Sequence, residues 1–114
     1  MTSRYIPARG DVAWLSFEPH AGQKQFVQRP ALIISPSSYN GKVGLAVACP
    51  ITSKQQGFAF EVALPGNLPV SGFVLSDVVK NLDWEVRRAE ICCRVSPSFV
   101  SEVVDRLEML VNAE

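Results

Sequence analysis

The sequence predicts a mainly β fold: a small antiparallel barrel or strongly bent sheet, completed by one C-terminal helix. Three observations predict it. Short apolar runs, several alternating with period two, recur up to residue 95 between clusters of Pro, Gly, Asn and Ser. No helical stripe separates these runs, which sets aside alternating βαβ units. A single 3.6-periodic segment follows Ser96-Pro97. With 114 residues, 47% of them hydrophobic, the chain 1–114 reads as one domain able to bury one core.

The elements follow in order. In VAWLSF, residues 12–17, Ala13, Leu15 and Phe17 alternate with Val12, Trp14 and Ser16, as in a first strand. Residues 19–28 are polar and contain a glycine, so they form a loop of a length more often functional than connective. Ala31–Ser35 is a strand, PSSYNG a turn, and Val43–Cys49 the paired strand of a hairpin. After a turn at residues 55–57, FAFEVAL alternates Phe58, Phe60, Val62 and Leu64 with smaller or polar residues, a half-buried strand. A Pro- and Gly-rich loop leads to the short run FVL, and Ser76 is placed to cap a single helical turn in SDVVKNLDW. Arg87–Val95 is the last strand. Beyond the Ser96 N-cap and Pro97, the stripe Val100, Val104, Leu107 and Val111 marks the amphipathic helix.

Composition limits the partners. The formal net charge is zero, so nucleic-acid binding would need a local basic patch. The N-terminus has no apolar targeting region and no segment is long and apolar enough to span a membrane, so a cytoplasmic protein is expected. The three cysteines cannot all pair within one chain, and adjacent Cys92 and Cys93 lie too close along the backbone for an ordinary disulfide. Cys49, Cys92, Cys93 and His20 lack metal-ligand spacing, so neither metal nor cofactor is expected.

Arg29 and Thr52 bracket the apolar hairpin. Pro30 biases Arg29 to an extended conformation, from which a guanidinium can present its planar donor fork to a phosphate. A surface salt bridge is the plain alternative for Arg29, and a local backbone hydrogen bond the plain alternative for Thr52 and Ser53. If the hairpin forms, Arg29 and Thr52 flank its open end, and Lys24, Lys54 and Lys80 add positive charge, a set suited to a phosphodiester. Phe17, Phe26 and Trp84 are available to stack bases, although an alternating strand aromatic such as Phe17 also suits the core. His20 is the side chain whose ordinary pKa suits proton abstraction near neutrality. No enzyme nucleophile is indicated, but RNA carries its own in the 2′-hydroxyl.

These residues stand in RYIPARGDVAWLSFEP, RPALIISPSSYNGKVGLAVACPITSK, GFAFEVAL and GFVLSDVVKNLDW with the RRAE that follows. In that order, from about residue 4 to residue 111, they resemble the MazF/PemK toxins of bacterial toxin–antitoxin systems. The resemblance implies an SH3-like antiparallel barrel with a C-terminal helix, assembled as a homodimer. It implies metal-independent cleavage of single-stranded RNA at short sequences, leaving 2′,3′-cyclic phosphate and 5′-hydroxyl ends. Arg29 then takes the family's catalytic place and Thr52 that of the hydroxyl holding the scissile phosphate. Gln25, Gln28, Ser53, Lys54, Asp77 and Lys80, with Lys24, are the expected RNA-binding set.

One position departs from the family. Members commonly carry Glu-Gln in the loop before the arginine, whereas this chain reads Gln23-Lys24-Gln25. A lysine at its ordinary pKa cannot accept the 2′-hydroxyl proton at neutral pH. His20 and Asp77 are the candidate general bases in its stead. The family also implies an acidic, largely disordered antitoxin segment, similar to MazE, lying over the Arg29 groove. Two non-enzymatic readings stand beside this one: a topoisomerase poison resembling CcdB, and an SH3-like adaptor for proline-rich ligands.

Overall fold

The computed structural model describes residues 4–17 and 27–114. Seven strands, β1 (Asp11–Phe17), β2 (Val27–Ile33), β3 (Ala46–Thr52), β4 (Glu61–Ala63), β5 (Phe73–Leu75), β6 (Lys80–Leu82) and β7 (Glu90–Arg94), run antiparallel to their neighbours. Their order is β4-β5-β3-β2-β1-β7, with β6 also paired to β3. Two helices accompany them, α1 (Ser37–Val43) and α2 (Pro97–Val111). The mainly β class with a C-terminal helix is the one expected. The sheet is not a closed ring: among the described residues β4 and β7 end the order without pairing to each other.

Period-two alternation divides the central strands between two cores. Val12, Leu32, Cys49 and Val74 pack with Phe99, Val100 and Val103 of α2. Ala13, Leu15, Ala31, Ile33, Ala48 and Trp84 fill the other face. Ser96 caps α2 as expected, its Oγ accepting from the Phe99 N–H at 3.2 Å. The buried face of α2 is Phe99, Val100 and Val103, however, and Val111 is 71% exposed, so the expected stripe ends early. Its last turn, with Met109 also exposed, gains no such burial. No helix among the described residues is long and apolar enough to cross a membrane.

The hairpin connection differs from expectation. PSSYNG is not a tight turn but the start of α1, which ends at Gly44 in the left-handed conformation, φ 83°. Asn40 is fully buried within it. Its Nδ2 donates to Pro7 O at 2.7 Å and Ser35 O at 3.0 Å, while its Oδ1 accepts from Ser35 Oγ at 2.6 Å. That satisfied buried amide outweighs the Asn-Gly turn signal. The paired strand is consequently displaced from 43–49 to Ala46–Thr52, and β2 begins at Val27 rather than Ala31.

Three other elements are shorter or different. FAFEVAL forms a strand only at Glu61–Ala63, because the Glu61 carboxylate gathers the Gln56 and Phe58 N–H groups into a turn and leaves Phe58 66% exposed. Ser76 does not cap a helix; fully buried, it donates to Phe60 O, and residues 80–82 form β6. Arg87 and Arg88 belong to a turn before β7, with Arg88 at φ 52°.

Candidate active-site cleft

The strand register brings Arg29 and Thr52 together. In the β2–β3 ladder Ala31 faces Pro50 and Ile33 faces Ala48. Continued two residues along each strand, beyond the last paired residues, that register aligns Arg29 with Thr52, and both line one cleft. Both share the strand face of Ala31 and Ala48, away from α2. Pro30 fits within β2 because the ladder to β3 covers only Ala31–Ile33. Beyond it β3 turns to a new partner, with Ile51 facing Val74 and Thr52 facing Phe73.

These residues open into a cleft of about 1170 Å³, walled by Arg29, Thr52, Ser53, Lys80, Asn81 and the segment Asp83, Val86, Arg87 and Arg88, with Phe17 at one side. Lys80 enters through β6, where it faces Ala48. Four cations against one carboxylate make this wall basic in a chain of zero net charge. The rim from Asp83 to Arg88 is anchored by buried Trp84, whose Nε1 donates to Asn40 O at 3.0 Å. Asp83 Oδ1 accepts from the Val86 N–H at 3.0 Å, fixing the turn. Arg87 lies over Phe17, 4.6 Å from its ring centre, and donates to Ser16 O at 3.3 Å.

Thr52 Oγ1 accepts from the Lys54 N–H at 3.2 Å, so the hydroxyl's own proton remains free to donate toward the cleft. The loop beyond is shaped by Glu61. Its carboxylate accepts from Gln56 N at 2.8 Å and Phe58 N at 2.7 Å. The Gln56 N–H first, and those of Phe58 and Gly57 after it, hold the Glu61 pKa below the ordinary carboxylate value against the opposing effect of desolvation.

Of the residues expected from sequence, Arg29, Thr52, Ser53 and Lys80 converge on the cleft. Gln28 and Lys54 are exposed but do not line it. Asp77 is exposed on the turn after β5 and is also outside the lining. Burial, with a smaller effect from the Asp77 charge, pushes the Cys49 thiol up to about 11. His20, Lys24, Gln25 and Phe26 lie outside the described residues. Phe17 reaches the cleft under Arg87, whereas Trp84, only 3% exposed, is part of the core and cannot stack a base. The sequence reading missed Asn81, Asp83, Val86, Arg87 and Arg88. The adjacent arginines after Asp83-Trp84 were the available signal.

Comparison with known proteins agrees with this architecture. Residues 8–111 match the family model of the PemK-like, MazF-like toxin of type II toxin-antitoxin systems. The chain is 36% identical over 112 residues to the endoribonuclease toxin MazF of Escherichia coli K12, covering 98% of this chain and all of that one. It is 32% identical to the Escherichia coli endoribonuclease PemK, over 91% of this chain and 81% of PemK. Among solved structures, MazF in a MazE-MazF crystal from Deinococcus radiodurans superposes with a TM-score of 0.90 at 45% identity, over 97% of this chain and 100% of that one. Matched along nearly its whole length in sequence and in fold, this chain belongs to the PemK-like, MazF-like toxins of type II toxin–antitoxin systems.

Proposed function

We propose that this protein is a sequence-specific single-strand endoribonuclease that cleaves RNA by attack of the 2′-hydroxyl on the adjacent phosphorus. The observation that carries the reading is the juxtaposition of Arg29 and Thr52 on one strand face at a basic cleft. The endoribonuclease names of the MazF and PemK relatives support it.

The Arg29 fork grips the non-bridging phosphate oxygens and stabilises the charge that builds on the phosphorane. The Thr52 O–H donates to the same phosphate, its oxygen already held by the Lys54 N–H. Lys80, Arg87 and Arg88 hold the flanking backbone. The 2′-oxygen forms a bond to phosphorus as the bond to the 5′-oxygen breaks. A base takes the 2′-hydroxyl proton, and Arg29, in its second role, supplies a proton to the leaving 5′-oxygen. The products are a 2′,3′-cyclic phosphate and a 5′-hydroxyl. His20 and Asp77 remain the bases proposed from sequence, and Asp83 joins them as a carboxylate on the cleft wall.

The same cations suit an acidic peptide, so a MazE-like antitoxin inhibits by occupying the cleft. The crystallisation of the Deinococcus relative with MazE supports a partner of this kind. The working form is a cytoplasmic homodimer.

The test is incubation of the protein and its Arg29→Ala variant with long single-stranded RNA in the presence of chelator, followed by mapping of fragment ends. Cyclic-phosphate and 5′-hydroxyl ends that vanish in the variant are expected. Intact RNA with the unaltered protein would overturn the nuclease reading and mean either that Lys24 marks lost chemistry or that the protein acts as a topoisomerase poison.

A further inference from the structure

We propose that Cys92 and Cys93 form a dithiol site that chelates a thiophilic centre such as trivalent arsenic, on the sheet face opposite the RNA cleft. Adjacent residues of a regular strand point to opposite faces. Here the β1–β7 ladder pairs Val12 with Cys93 but Ala13 with Ile91, so Cys92 is the extra residue of a β-bulge. The bulge re-aims one side chain. Both cysteines consequently pack against the same core beneath α2, whereas neighbouring Ile91 is 43% exposed.

The two thiols are neighbours in sequence and share this face. The Cys93 pKa is pushed up to about 11, first by burial and then by a hydrogen bond and charge from Cys92. Both side chains remain partly exposed, so a small reagent can reach them. Direct oxidation is disfavoured, because neighbouring Cα atoms lie closer than ordinary disulfide geometry allows. A bridging atom removes that obstacle, since the sulfurs need not bond to each other.

With phenylarsine oxide the reaction is balanced without an oxidant. Two S–H bonds and the arsenic–oxygen bond are lost, two As–S bonds form, and one water leaves. Arsenic stays trivalent. The second thiol acts at high effective concentration, which makes the chelate at least about 100-fold tighter than a single-thiol adduct.

The experiment is intact-mass analysis of the full chain, reduced with a phosphine and treated with phenylarsine oxide. One adduct per chain is expected, formed with loss of water, stable to excess monothiol and removed by 2,3-dimercaptopropanol. Cys49→Ser should retain it, and thiol titration of that loaded variant should find neither remaining cysteine free. Cys92→Ser should weaken binding about 100-fold or more. An adduct stripped by monothiol, lost in Cys49→Ser or undiminished in Cys92→Ser would overturn the proposal. The Cys49→Ser arm leaves the bulge intact, so the test does not depend on the folding of the Cys92 variant.

Discussion

Gly72 runs directly against the backbone of Thr52: a β-carbon at Gly72 would overlap the Thr52 carbonyl oxygen. Gly72 also has φ 134°, a conformation that L side chains rarely adopt. Gly72→Ala should therefore cost roughly 1–3 kcal/mol in stability. It should also displace Thr52, so RNA cleavage measured well below the melting temperature should fall. A urea midpoint equal to that of the unaltered protein would show that β5 simply gives way.

Thr52 offers an acceptor to Lys54 N and a free O–H to the cleft. Thr52→Val removes both, and Thr52→Ser keeps both. If the hydroxyl serves a charged phosphate, a hydrogen bond of about 1.5–3 kcal/mol is lost in the first variant. Single-turnover cleavage should then slow by roughly 10–100-fold in Thr52→Val and much less in Thr52→Ser.

Lys80 faces Ala48 across β6 and β3 and contributes one of the cleft's positive charges. Binding of a non-cleavable oligonucleotide should weaken as salt rises. Lys80→Gln should reduce the log–log salt slope by about 0.7, the value for one phosphate contact on a single strand. An unchanged slope would remove Lys80 from the RNA path.

Tyr5 donates to Asp11 Oδ2 at 2.8 Å. Burial first, then this hydrogen bond and the Asp11 charge, raise the Tyr5 pKa well above 10.0, against a smaller lowering effect from Arg94. The folded state keeps the proton that the unfolded state releases. This contribution is fully present below pH 10.0 and is lost as pH rises through the folded-state pKa. Tyr5→Phe should flatten the alkaline limb of the stability profile in denaturant titrations.

What was legible in the sequence was alternation, and what was not was pairing. Ala13 and Leu15 follow period two and are buried as such. Arg29 and Thr52 were visible because they bracket one apolar hairpin. Asn40 misled because its buried amide bonds to Pro7, a residue remote in sequence, and local turn propensity carries no information about that contact. Arg87 was missed for a related reason: its place beside Phe17 depends on a turn anchored by Trp84 to α1. Phe58 alternates correctly, yet the carboxylate of Glu61 three residues later pulls its N–H out of the strand.

Buried Asp11 joins Arg94 at 3.0 Å, so β1 meets its last partner only when nearly the whole chain is available. During synthesis β2 can shield one edge of β1, but the other stays unpaired until Glu90–Arg94 has left the ribosome. A truncated product lacking β7 and α2 would carry Arg29 and Thr52 yet leave Val12 and Leu32 uncovered by Val100 and Val103. Arg29 and Thr52, to which the proposal assigns the reaction, are encoded early in the chain, and the helix that covers Val12 and Leu32 arrives last.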